Sequence, residues 1–106
     1  MPKDLKSMTA QSKSSPPPEL GDLRHAIDGV DGALVALYAK RLGLVNQVLE
    51  VKKQYGLPAS IPERVEEVIV RVRGEAERAG FLPDVAEKLW RLLIKEMIVY
   101  EEGHLK

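Results

Sequence analysis

Residues 23–55 read LRHAIDGVDGALVALYAKRLGLVNQVLEVKKQY. Leu23, Ile27, Val30, Leu34, Leu37, Leu44, Val48, Val51 and Tyr55 follow one another at steps of four and three, with Arg41 filling the remaining position of the series. That spacing is a heptad seam and predicts one long helix. A guanidinium where the seam calls for an apolar side chain needs either a structural partner or an anionic ligand.

Outward from this stretch, Met1 to Pro18 carry Ser12, Ser14, Ser15 and Pro16-Pro17-Pro18, and read as a disordered tail. The long helix is expected from Glu19 to Tyr55. Its Gly21, Gly29, Gly32 and Gly43 each lower helix propensity by ~1 kcal/mol relative to Ala, so packing must hold it. Gly56 and Pro58 stop it. Ser60 and Glu63 have the spacing of a capping box around Pro62, opening a second helix with Val65, Val68, Ile69, Val72, Ala76 and Ala79 inward and Gly80 as its end. After Pro83 a third helix is expected to run to about Glu102, with Val85, Leu89, Leu92, Leu93 and Met97 inward and Gly103 as its stop. No segment reads as a strand. The expected class is all-α, with residues 19–106 forming one three-helix domain.

Thirty-five helical residues make a rod of ~50 Å, whereas a compact chain of 106 residues has a radius of gyration of only ~13 Å. Two shorter helices cannot cover such a rod, so its seam is expected to pack on another chain, most simply in a twofold homodimer.

Composition narrows the function. Sixteen Lys and Arg balance sixteen Asp and Glu, which gives no net field to attract nucleic acid or an anionic membrane. The absence of cysteine removes disulfides, thiolate nucleophiles and thiolate metal sites. No apolar run approaches the ~18–20 residues of a membrane span, so a soluble cytoplasmic protein is expected. His25 and His104 are too far apart for a triad or metal site and read as surface residues, and Trp90 reads as packing. Arg71, Arg73, Glu75, Glu77 and Arg78 read as a solvated face with ion pairs along the helix.

Basic residues carry the functional signal. Lys52 follows Arg41 by eleven residues, close to three turns, placing both on one side of the helix ~16 Å apart. Arg24 lies ~25 Å before Arg41 on another side. In an antiparallel pair crossing near residue 35, Arg24 of the partner subunit falls between Arg41 and Lys52. Arg64 adds a cation in the first turn of the second helix, where free N–H groups also favour anions. Walls of Val48, Val68, Ile94 and Ile98 would complete a pocket for a small apolar ring bearing more than one carboxylate. A seam cation also serves simply to set register in a helical dimer, and that reading stands beside the first.

The strings Leu23-Arg24-His25-Ala26-Ile27-Asp28-Gly29-Val30-Asp31, Leu37-Tyr38-Ala39-Lys40-Arg41, Val51-Lys52 and Pro62-Glu63-Arg64 resemble the all-helical chorismate mutase family, in order, from Leu20 to the C-terminus. The resemblance implies an intertwined antiparallel homodimer in which Arg24 of the partner subunit and Arg41 bind the substrate carboxylates. Lys52 would hold a carboxylate and the ether oxygen of the breaking bond, and Arg64 matches the family's loop-to-helix arginine. Glu101 stands where many members have a glutamine that donates to the ether oxygen; donation by Glu101 requires a protonated carboxyl. Neither metal nor cofactor is implied.

Three positions depart from the family pattern. Val65 stands where most mutases have a glutamate for the ring hydroxyl, Ile61 where some have an aspartate, and Met97 where some have a small polar residue. Pro62-Glu63-Arg64-Val65 also resembles the related isochorismate-pyruvate lyases, against which Glu101 stands in place of glutamine. The expected function is rearrangement of chorismate to prephenate, with the lyase reaction or a non-catalytic regulatory dimer as alternatives.

Overall fold

A computed structural model describes residues 16–105, so the expected tail lies outside the described residues as far as residue 15. The described residues form α1 (Pro18–Tyr55), α2 (Pro62–Ala79) and α3 (Pro83–Leu105), with no strand among them. Each helix opens on a proline. There the fixed φ suits the first turn and the missing N–H removes a donor that would have had no partner. At α1 the Pro17 carbonyl accepts the Leu20 N–H at 3.0 Å, which draws Pro18, expected in the tail, into the helix.

By contacts the chain divides into two units, residues 1–42 and 43–106. In the first, α1 presents Leu23, Ile27, Val30, Leu34 and Leu37 with 46–62% of their surface exposed. The seam expected from the sequence is apolar and uncovered here, and a Cβ at Gly21, Gly29 or Gly32 would meet nothing within 4 Å.

The second unit holds the end of α1 together with α2 and α3. Leu49, Ala59, Ile69, Ala76, Ala86 and Ile94 are its buried apolar residues. Two glycine turns shape it. Gly56 takes φ +66°, and the Leu57 N–H reaches back to the Lys52 carbonyl at 2.9 Å. Gly80 takes φ +76°, with the Phe81 N–H on the Ala76 carbonyl at 2.8 Å. Both close the last carbonyls of a helix through a left-handed residue, for which glycine has no steric penalty.

Three local expectations need correction. The capping box does not form: Ile61 is the residue before α2, at φ −125° and ψ 97°, and no side chain caps the helix. Pro62 fixes where α2 begins, which leaves Ser60 one residue too early to cap it. Gly103 does not end α3, which continues to Leu105. It lacks the positive φ of the two terminating glycines, and the last turn is held by His104, whose Nδ1 lies 2.8 Å from the Tyr100 carbonyl and whose ring stacks on Tyr100 at 4.3 Å. Finally, the inward face of α3 is rotated by about one residue. Ala86, Ile94 and Glu101 are buried, Leu93 and Met97 half-buried, and Val85, Leu89 and Leu92 exposed. Apolar residues occupy two sides of α3, and spacing alone does not tell which side α2 takes.

Charged side chains join α2 to α3 across the surface. Arg91 binds both oxygens of Glu66 at 3.0 and 3.1 Å and, through Nε, Glu87 at 2.7 Å. Arg73, expected on a solvated face, instead crosses to Asp84 and Glu87, each at 2.9 Å, while Arg78 stays on its own helix with Glu75 at 3.1 Å. A further bridge is buried. Lys52 Nζ donates to Glu101 Oε1 at 2.7 Å and to the Ala59 carbonyl at 2.8 Å, joining the end of α1, the α1–α2 loop and α3.

Hydrogen bonds from Arg91 hold the Glu66 and Glu87 carboxyls below their ordinary value of 4.5. The unfolded chain therefore takes up protons at a pH where the folded chain does not. The network's contribution is present above pH 4.5 and is lost as pH falls through the lowered folded-state values. Thermal unfolding followed by circular dichroism should show the melting temperature falling with pH below that range, and Arg91→Ala should flatten the fall. For the buried bridge, Lys52→Met alone should destabilise by ~3–5 kcal/mol in urea titrations, because Glu101 is left charged without a partner. Lys52→Met combined with Glu101→Leu should recover most of that loss.

Candidate active site

Lys52 lies in the last turn of α1, three residues before the helix ends at Tyr55. The turn at Gly56 carries the chain back so that Ala59 packs beneath it, with 8% of its surface exposed. Glu101 approaches from the last two turns of α3. The two charged residues are 9% and 7% exposed, so their ammonium and carboxylate face one another with little water. Charge-assisted hydrogen bonds of this length are among the stronger ones available to a protein.

Between the start of α2 and α3 lies a cleft of about 390 Å³. Ser60, Pro62 and Val65 line it at the start of α2, and Ile94, Ile98 and Val99 line it from α3, with Glu66, Arg91 and Lys95 as its charged groups. Ser60 directly follows Ala59, and Ile98 precedes Glu101 by almost one helical turn. The cleft's Ser60 and Ile98 thus lie close in sequence to Ala59 and Glu101, two of the three residues that form the bridge. Its predominantly apolar walls suit a ligand with an apolar body.

Of the residues singled out from the sequence, Val65, Ile94 and Ile98 come together in the cleft, and Lys52 and Glu101 come together in the bridge. Ile61 is half-buried just before α2, Val68 and Met97 are half-buried on α2 and α3, and Val48 is 48% exposed on α1. Arg64 is exposed in the first turn of α2, 3.4 Å from Glu67. Arg24 and Arg41 belong to the first unit, where Arg24 is exposed and Arg41 half-buried. Neither has a carboxylate within 4.0 Å among the described residues. No group of three or more metal-ligating side chains occurs among the described residues, and no helix is long and apolar enough to cross a membrane. Sequence reasoning missed the Ala59 carbonyl, a backbone acceptor that no residue type announces.

The T-protein of Enterobacter agglomerans is 47% identical over 83 residues, covering 78% of this chain and 22% of that protein. The T-protein of Haemophilus influenzae is 45% identical over 82 residues, with 77% and 22% covered. The chorismate mutase of Methanocaldococcus jannaschii is 27% identical over 88 residues, with 83% of this chain and 89% of that protein covered. The chain spans about a fifth of the length of the T-proteins it matches. Residues 23–102 match the family described as chorismate mutase type II, a stretch that takes in the bridge, the cleft, Arg24 and Arg41, and the chain belongs to that family.

Proposed function

We propose that this protein rearranges chorismate to prephenate, and the observation that carries the reading is the buried Lys52 ammonium held by Glu101 and the Ala59 carbonyl. The reaction is pericyclic: the ether C–O bond breaks as the new C–C bond forms, with no nucleophile and no net proton transfer. Catalysis therefore consists of holding the enolpyruvyl arm over the ring and stabilising charge that grows on the ether oxygen. Lys52 supplies the donor for that oxygen. Glu101 orients Lys52 and, when protonated, adds a second donor. Val65, Val68, Ile94, Ile98 and Val48 wall the ring, with Ile61 and Met97 at its margins.

Arg41, Arg64 and Arg24 of the partner subunit bind the two carboxylates in this reading. The homodimer it requires is supported by the exposed heptad seam of α1, which is apolar, regular and suited to antiparallel pairing with a second copy. Among the described residues Arg41 has no carboxylate within 4.0 Å, which leaves its guanidinium open to an anionic ligand. Val65 in the cleft wall keeps the isochorismate-pyruvate lyase reaction as the second reading, since an apolar side chain offers no acceptor to a ring hydroxyl.

Purified protein, without metal or cofactor, should convert chorismate to prephenate with kcat/KM of ~10⁴ M⁻¹s⁻¹ or more. The same assay on isochorismate should yield little salicylate; salicylate as the dominant product selects the lyase. Arg41→Ala should lower kcat/KM by ~10²–10³-fold while leaving the helical circular dichroism unchanged. Arg24→Ala and Arg41→Ala should each be nearly inactive alone. Refolded together they should recover about a quarter of wild-type activity, because half the dimers are mixed and each mixed dimer holds one intact site.

A further inference from the structure

On α3 the cleft has a floor and a rim. Ile94 and Ile98, four residues apart, form one row along the helix, the first buried and the second half-buried. Arg91, Lys95 and Val99, also at steps of four, form the neighbouring row and are exposed. The charged groups of the cleft differ in what they are free to do. Arg91 holds both Glu66 oxygens at 3.0 and 3.1 Å and Glu87 through Nε at 2.7 Å, so Arg91 and Glu66 are spent on one another. Lys95 has no carboxylate within 4.0 Å among the described residues. With the charges of Arg91 and Glu66 cancelled, the Lys95 ammonium is the charge the cleft has left to offer. We infer that Lys95 is the anion contact of this cleft, which takes a ligand with an apolar body and a carboxylate; identifying that ligand with the substrate rests on the mutase reading.

The Glu66–Arg91 pair explains why Lys95 stays available. Glu66 is the one carboxylate that lines the cleft among the described residues, and a guanidinium gripping it by two parallel hydrogen bonds holds it more firmly than an ammonium can. Glu87, the next acid along α3, is shared between Arg91 and Arg73. A lysine on the rim of an apolar cleft can lay its methylene stem along the wall and keep its ammonium at the edge, where a bound carboxylate meets it partly out of water. Ser60, on the loop side of the cleft, adds a hydroxyl that is not used to cap α2. Apolar enclosure with a small number of polar groups is the usual make-up of a small-molecule site. In the mutase reading, Lys95 adds a cation for one of the two substrate carboxylates, alongside the arginines.

Two probes with the same apolar body test the inference: 3-phenylpropanoate and its uncharged counterpart 3-phenylpropanol, each titrated into the full chain and followed by ¹⁵N–¹H amide spectra. Both should shift the amides of Val65, Ile94 and Ile98, and wild type should bind the carboxylate about fivefold more tightly than the alcohol. Lys95→Met, which keeps the apolar stem, should bring the two affinities together and leave that of the alcohol unchanged, whereas Lys95→Arg should retain the preference. In steady-state turnover of chorismate, Lys95→Met should raise KM about fivefold with kcat within ~2-fold. Lys88→Met, exposed on the same helix outside the cleft, should change neither. A preference for the carboxylate that survives Lys95→Met, or amide shifts elsewhere than in the cleft or none at all, overturns the assignment of Lys95. A preference lost in Lys95→Met with KM unchanged overturns the placement of the substrate on Lys95. Wild-type protein that prefers the carboxylate probe yet forms no prephenate overturns the mutase reading instead.

Discussion

A lysine ammonium taken out of water is stable only where acceptors and opposite charge replace the water it has lost, and the second unit of this protein is arranged around one such group. Lys52 finds a carboxylate on α3 and a carbonyl in the α1–α2 loop. Each partner comes from a different segment, so the ammonium tolerates only one arrangement of the three. Replacing the pair with apolar side chains of similar size would be close to neutral for stability, which makes stability a poor explanation for its presence. In the proposed reading the fixed cation is explained by what it does to a bound oxygen.

The second constraint is surface. The apolar face that α2 shares with α3 is enclosed, and their exposed sides are joined by Arg73 and Arg91 to carboxylates of the facing helix. The first unit has no such enclosure. Five seam residues before Arg41 stay about half exposed or more, a spread of apolar surface that single soluble helices do not carry without a partner. Glycines within that stretch make the helix still more dependent on packing. Helix propensity and burial are both consistent with the proposed second copy as the element that completes it.

How much of this was legible in the sequence depends on whether a feature is local. Gly56 and Gly80 end helices because only a residue free of Cβ readily takes their positive φ, and both ends were readable from the chain alone. Gly103 was misread because a glycine near a C-terminus resembles a stop, whereas His104 packing on Tyr100 carries α3 past it. Ser60 and Glu63 had the letters of a capping box, but Pro62 decides where α2 begins. On α3 the choice between two apolar sides lay with α2 and not with α3 itself. Lys52 and Glu101 were both singled out, yet 49 residues separate them and nothing in their spacing announces a direct bond. The Ala59 carbonyl left no trace at all, since every residue has one.

Glu101 shows why the pairing and the chemistry belong together. A glutamine there would accept one hydrogen bond from Lys52 and donate another, leaving the ammonium's charge uncompensated in a dry site. A charged glutamate compensates the ammonium but, in the proposed reading, places a negative group beside the oxygen on which negative charge grows. The arrangement favours catalysis only if the field at that oxygen is dominated by the nearer ammonium. Distance then decides the balance: an N–H aimed directly at the ether oxygen acts at hydrogen-bond length, whereas the carboxylate behind it acts from beyond the ammonium and is partly cancelled by it. A lysine free to rotate would lose that advantage, because its donor would spend much of its time elsewhere while the carboxylate remained. In the proposed reading, a glutamate at this position is compatible with the rearrangement either protonated, as a second donor, or charged behind an ammonium held firmly in place.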